Sequence, residues 1–223
     1  MIPNVFLITW INFLIGICVL IVSGIKNKDL RSNRERWVKF FVYLIIVHII
    51  LLSICFNSMI RYVSILIIGM GTTELFNAGK NRGLPFVQFV TSIFIYSIIG
   101  MFFLKFSFTG NVQEQLRVYL FVFIFDGFSQ MIGQLIGKHK LSPNISPNKT
   151  IEGTCGGFIS VLIISLLVGN TIPYHFLSIF FTPLLVSVSA LTGDLLASYY
   201  KRQCHIKDYS NLLPAHGGML DRF

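Results

Sequence analysis

The carboxyl end of the sequence holds its densest set of reactive residue types. Gly193-Asp194 is followed by Ser198, by Lys201-Arg202 and by Lys207-Asp208. Pro214-Ala215-His216-Gly217-Gly218-Met219-Leu220-Asp221-Arg222-Phe223 completes the run. Three aspartates and four basic residues thus lie close together with a Gly-Gly step. Carboxylates are hard oxygen ligands suited to Mg²⁺, which takes one or two protein acids and fills its shell with water and substrate phosphates. Arg and Lys suit polyphosphate oxygens, and glycines let the backbone approach them. These residue types point to phosphate and Mg²⁺ chemistry.

Two other segments carry polar groups. Asp126 lies midway along an apolar run, where an ionised carboxylate costs about 2.5–3.5 kcal/mol if it faces lipid, so it should face protein or water. At helical spacing Asp126, Ser129, Gln130, Gly133, Gln134 and Gly137 share one face, opposite Phe128, Met131, Ile132 and Leu135. Gly133 and Gly137 also make a GxxxG, so close helix packing with a merely hydrogen-bonded Asp126 stands as the alternative. The next connection contains Lys138, His139 and Lys140, then Ser146-Pro147-Asn148-Lys149-Thr150-Ile151-Glu152-Gly153. Its two Ser-Pro steps predict a stiff, turn-rich loop whose lysines and hydroxyls could hold phosphate oxygens. A solvated basic loop is the alternative there.

The elements that must position these groups are membrane helices. Of 223 residues 54% are hydrophobic and 12% charged, against roughly 25% charged in soluble domains. Apolar runs at about 3–25, 38–57, 60–76, 85–104, 116–137, 153–172 and 176–200 each approach the ~20 residues a spanning helix needs. The first begins without basic residues and predicts a retained span rather than a signal peptide. The fold expected is all-α and polytopic, a single membrane domain over 1–223 with a polar tail after Lys201. Cys18, Cys55, Cys155 and Cys204 are too scattered for a disulfide framework or a thiolate metal site.

Charge orders the spans. With seven of them, 26–37 with Lys39 at its edge, 77–84, 138–152 and the tail share one side and hold 15 of the 18 Lys and Arg. The positive-inside rule puts that side in the cytoplasm and the amino terminus outside. The net charge of +9 reads as topology and attraction to anionic membrane lipids, with no nucleic-acid partner expected.

Ser198–Phe223 resembles the signature of phosphatidate cytidylyltransferases, S-x-x-K-R-x4-K-D followed by P-x-H-G-G-x-x-D-R. Ser198, Lys201, Arg202, Lys207, Asp208, Pro214, His216, Gly217, Gly218, Asp221 and Arg222 fill every defined position. Upstream, Ser146-Pro147-x-Lys149-Thr150-x-Glu152-Gly153 is similar to the family's S-P-x-K-T-x-E-G. The stretch from Asp126 to Lys138 is similar to its D-x-x-A-Y-x-x-G-R-x-x-G-K, with Gln130 and Gln134 where Tyr and Arg are usual. Glu74 is similar to an acid after an early helix. The resemblance covers roughly 65–223, while 1–60 carries only hydrophobicity. Family members continue after D-R with another acid and a further span. The expectation is therefore either a longer reading frame or a short member lacking one acidic contributor.

The resemblance implies cytidylyl transfer from CTP to phosphatidate, giving CDP-diacylglycerol and pyrophosphate, in a bacterial cytoplasmic membrane with the site facing the cytoplasm. It implies Asp194 and Asp221 as Mg²⁺ ligands. Lys149, Lys201, Arg202, Lys207 and Arg222 would bind phosphates. Asp208 and His216 belong to the catalytic signature, His216 shaping its loop. Asp126, Ser146, Thr150, Glu152, Ser198, Gly217 and Gly218 would line the substrate site. Membrane lipids are expected partners, and a homodimer is compatible with this reading. A CTP-dependent lipid kinase and a catalytically impaired paralogue stand as alternatives.

Overall fold

A computed structural model describes residues 2–26, 30–56, 59–81, 84–169, 176–210, 212 and 217–222. Among them lie seven long helices: α1 (Ile2–Lys26), α2 (Leu30–Cys55), α3 (Met59–Asn81), α4 (Phe86–Thr109), α5 (Val112–Ile136), α6 (Ile151–Gly169) and α7 (Phe176–Gln203). Each contains a stretch long and apolar enough to cross a membrane. The expected all-α, polytopic class is therefore what the chain adopts. Several helices outrun the apolar runs. The helix ladder needs no apolar side chains to continue, so α3 reaches Asn81 and α7 reaches Gln203. Large apolar side chains such as Phe86, Val87, Phe94 and Leu185 point outward and are exposed, as they would be where lipid is the solvent.

Among the described residues, one hairpin is not helical. Lys140–Ser142 (β1) and Ser146–Thr150 (β2) pair antiparallel, with Lys140 opposite Thr150 and Ser142 opposite Ser146. The loop expected between the fifth and sixth spans is thus a small hairpin. Its register is irregular between Lys140 and Ser142.

The chain forms two compact units. The first comprises Met1–Lys28 and Leu116–Leu195. Its core includes Val5, Phe13, Leu120, Phe121, Ile124, Phe125 and Val161, with ring contacts between Phe13 and Phe123 (5.4 Å) and between Phe125 and Phe158 (5.1 Å). Helices α5 and α6 meet through small residues. A Cβ on Gly153 would stand 2.5 Å from the Ser129 carbonyl oxygen and 3.0 Å from the Gly133 Cα. A Cβ on Gly157 would stand 2.9 Å from the Phe125 carbonyl oxygen. Only glycine permits this approach, which is the close-packing role that the GxxxG spacing offered.

Pro183, buried inside α7, cannot donate to the carbonyl of Ile179 four residues earlier. The buried Ser165 hydroxyl of α6 donates to that oxygen instead, at 2.7 Å. A neighbouring helix thus supplies the hydrogen bond that the proline removes, as a water-free interior requires.

The second unit comprises Asp29–Gln115 and Leu196–Phe223. Helix α3 packs against α2 and α4, and the Tyr96 hydroxyl of α4 donates to the Ile68 carbonyl at 3.1 Å. Past Thr109, the Gln115 amide donates to the carbonyls of Phe106, Ser107 and Gly110 at 3.1–3.2 Å, satisfying acceptors that a helix end leaves open. The end of α7 and the tail pack on α3 through Leu75, Ala78, Tyr200 and Cys204, with Ile206, Tyr209 and Leu220 around them.

Candidate active site

In the first unit the hairpin is held to α6 at its base. The Thr150 hydroxyl accepts from the Gly153 amide at 3.2 Å, which makes Thr150 the amino-terminal cap of α6. Its carbonyl accepts from the Thr154 hydroxyl at 2.9 Å. In the first turn of α6, the Glu152 carboxylate accepts from the Lys138 and His139 amides at 3.1–3.2 Å and meets His139 Nδ1 at 2.6 Å. Thr150 and Glu152, expected to line the substrate site, therefore serve first to fasten the hairpin.

That fastening presents Lys149. Its ammonium is ion-paired with the Asp194 carboxylate of α7, so two residues expected in the site are brought together from elements 45 residues apart. Lys149 keeps about a quarter of its side-chain surface exposed and Asp194 about half (24% and 51%). A pair this open gains little from Coulomb attraction in water, which leaves it ready to exchange partners. Ser146 is half-buried on β2. On α5, Ser129 and Gly133 form the seam with α6, while Asp126, Gln130 and Gln134 are exposed.

In the second unit the described part of the signature, 198–210 and 217–222, folds into a compact knot. Asp221 is nearly buried, with 2% of its side chain exposed, and receives three donors. Lys201 Nζ meets Oδ1 at 2.7 Å, and the Tyr209 and Gly218 amides donate to Oδ2 at 2.8 Å each. The Lys201 ammonium also lies 5.6 Å from the Tyr209 ring centre. Burial, and next the Asp221 carboxylate, push the Tyr209 phenol above its usual range. It stays protonated and its hydroxyl reaches the Ala197 carbonyl at 3.2 Å.

Gly217 turns the chain into this knot at φ +85°, where a side chain would be strained and a Cβ would stand 2.5 Å from Asp221 Oδ2. Gly218 is buried, as is Ser198 on α7. Arg202, Lys207, Asp208 and Arg222 are exposed. His216 lies outside the described residues.

The knot hangs from Glu74, buried near the end of α3. Its Oε1 accepts from the Ser210 hydroxyl at 2.6 Å and the Met219 amide at 3.0 Å, and its Oε2 from the Leu220 amide at 2.9 Å. Sequence reasoning gave Glu74 no role and passed over Ser210 and Tyr209. The available signal was an acid within an apolar helix, which must find donors somewhere.

The profile of the Cytidylyltransferase family matches residues 1–223. The chain belongs to this family. The match takes in the first two spans, where sequence reasoning had found no motif. Among cytidylyltransferases similar to it, the phosphatidate cytidylyltransferase of Bacillus subtilis (strain 168) is 39% identical over 146 residues, covering 61% of this chain and 53% of the relative. That of Aquifex aeolicus (strain VF5) is 42% identical over 118 residues, covering 51% and 44%. That of Staphylococcus haemolyticus (strain JCSC1435) is 36% identical over 149 residues, covering 65% and 56%. The chain spans about half the length of these curated relatives.

Mg²⁺ can be weighed against the donors the chain presents. Among the described residues no three His, Cys, Asp or Glu side chains gather into a ligand cluster, but Mg²⁺ needs only one or two carboxylates beside phosphate and water. Asp194, half exposed and paired to the Lys149 ammonium, suits that demand. Asp221 is nearly buried and has both oxygens engaged by protein donors, so a metal could reach it only with rearrangement around the Lys201 pair.

Proposed function

We propose that the protein catalyses transfer of the cytidylyl group from CTP to phosphatidate, releasing pyrophosphate and leaving CDP-diacylglycerol in the membrane. Family membership across 1–223 carries this reading, and the names of the relatives supply the substrate class. The active site faces the cytoplasm of a bacterium, a placement supported by 15 of 18 cationic side chains falling on one side of seven spans.

The lipid phosphate monoester, with a second pKa of about 6, is largely a dianion at neutral pH and needs no protein base. One of its oxygens attacks the α-phosphorus of CTP, and the bond from that phosphorus to the β-phosphate bridge oxygen breaks. The protein's work is alignment and neutralisation of charge. Lys149 and Lys201 each arrive already partnered to a carboxylate. Each lysine exchanges that partner for a phosphate oxygen, while exposed Arg202, Lys207 and Arg222 draw the polyphosphate in. Asp194, and Asp221 if Lys201 moves aside, each offer a carboxylate for Mg²⁺, which would neutralise the triphosphate and its leaving group.

The test follows label from CTP. The protein, expressed from its complete reading frame, is given phosphatidate vesicles and CTP labelled at the α-phosphate. Cytidylyl transfer moves the label into lipid with one pyrophosphate released per lipid. A lipid kinase leaves the label in CDP, and an impaired paralogue leaves it in CTP; either outcome refutes the proposal.

A further inference from the structure

We propose that Glu74 is a positioning residue, a carboxylate clamp on α3 that holds the Gly218–Arg222 turn in its reactive form. The inference rests on the proposed cytidylyl transfer and adds to it the residue that sets the signature's geometry. Glu74 bonds to Ser210, Met219 and Leu220 rather than to the Lys201 ammonium or the Asp221 carboxylate. It holds the backbone on which Asp221 stands.

Three donors converge on the carboxylate from positions 136, 145 and 146 residues later in the chain. Two are backbone amides of consecutive residues, Met219 and Leu220, immediately before Asp221. A carboxylate offers two acceptor oxygens and no donor, which is what adjacent amides and a hydroxyl demand. Such charge-assisted bonds are stronger than neutral ones. The Gly218 backbone must also pass close by, for a Cβ there would stand 2.5 Å from Glu74 Oε1. The same turn then feeds the Gly218 amide to Asp221 Oδ2, so the Glu74 clamp and the Lys201–Asp221 pair share one short segment. Release of the clamp would leave Asp221 on a loose turn.

Glutamine is the discriminating replacement, because it keeps the size of Glu74 but presents an amide nitrogen where one acceptor is needed. Its oxygen can still serve Ser210 and Met219, while its NH₂ then faces the Leu220 N–H. Aspartate keeps both acceptors on a shorter arm and should recover part of the function. Ser210→Ala removes one donor and leaves the amides held, so its effect should be smaller.

The experiment measures amide hydrogen exchange over 217–222 in the full-length protein in lipid nanodiscs, alongside steady-state transfer from CTP to phosphatidate. For Glu74→Gln the expected result is at least tenfold faster exchange at Met219 and Leu220 with α3 and α4 unchanged. A fall of tenfold or more in kcat at little-changed phosphatidate KM should accompany it. Glu74→Asp should lie between. Unchanged exchange in Glu74→Gln would overturn the clamp, and faster exchange with wild-type kcat would overturn its positioning role. Wild-type protein without transfer would instead refute the proposed reaction, while exchange would still decide whether the clamp exists.

Discussion

Asp194 and Asp221 are both aspartates beside lysines, yet their surroundings assign them different work. Asp194 is open and shares a surface pair with Lys149, so removing its charge should change stability by no more than about 0.5 kcal/mol. Asp221→Ala strands a mostly buried ammonium and two backbone amides. Loss of a buried pair and its hydrogen bonds should cost ~3 kcal/mol of local stability. Limited proteolysis of the tail is the measurement: Asp221→Ala should be cut readily and Asp194→Ala should resist like the wild type. Equal resistance would mean that the Lys201–Asp221 pair does not hold the tail. Gly217→Ala, strained at positive φ, should loosen the same segment by about 1–2 kcal/mol.

At the scale of elements, the helices were readable and their fastenings were not. Long apolar runs announce spanning helices because lipid demands self-contained backbone hydrogen bonding. The hairpin of β1 and β2 was read as a loop because its strands are three and five residues long, too short for a clear alternation. Thr150 before an apolar run with Glu152 in the first turn was a legible capping signal, but its resemblance to a substrate motif drew attention away from its local bonds. The Ser165–Ile179 bond was hidden for another reason. Sequence shows that Pro183 frees a carbonyl, but only packing shows which hydroxyl answers it. A double-mutant cycle tests this link. Ser165→Ala should cost about 0.6–1.7 kcal/mol in the presence of Pro183. In a Pro183→Ala background, where residue 183 regains its own donor, that cost should nearly vanish. Identical costs in both backgrounds would show that the serine answers something else.

For the whole molecule, the expected sidedness rests on how the cationic residues divide between the two ends of seven spans. In a background lacking the four native cysteines, Lys140→Cys should react with an impermeant thiol reagent from the cytoplasmic side and Lys105→Cys from the opposite side. Labelling of both from one side would overturn the helix count. The family was legible from eleven signature positions because so many fixed residue types at fixed local spacing are specific. What those charges do before substrate arrives was not legible, since the partner of each lysine lies on another part of the fold. Lys149 and Lys201 are each neutralised by an aspartate far from them in sequence or across a turn.

A Mg²⁺ titration of label transfer from CTP to phosphatidate shows whether these cation–carboxylate couples open to serve the proposed cytidylyl transfer. Wild type, Lys149→Ala, Lys140→Ala and Asp194→Asn are compared in the protein expressed from its complete reading frame. A lost charge-assisted phosphate contact should lower the rate of Lys149→Ala roughly ten- to a hundredfold at every Mg²⁺ concentration. Lys140→Ala, an exposed position at the start of β1, should keep its rate. Asp194→Asn should demand more Mg²⁺ and fall furthest where the metal is limiting. Wild-type rates for Lys149→Ala and Asp194→Asn at limiting Mg²⁺ would mean that this couple does not serve the transfer.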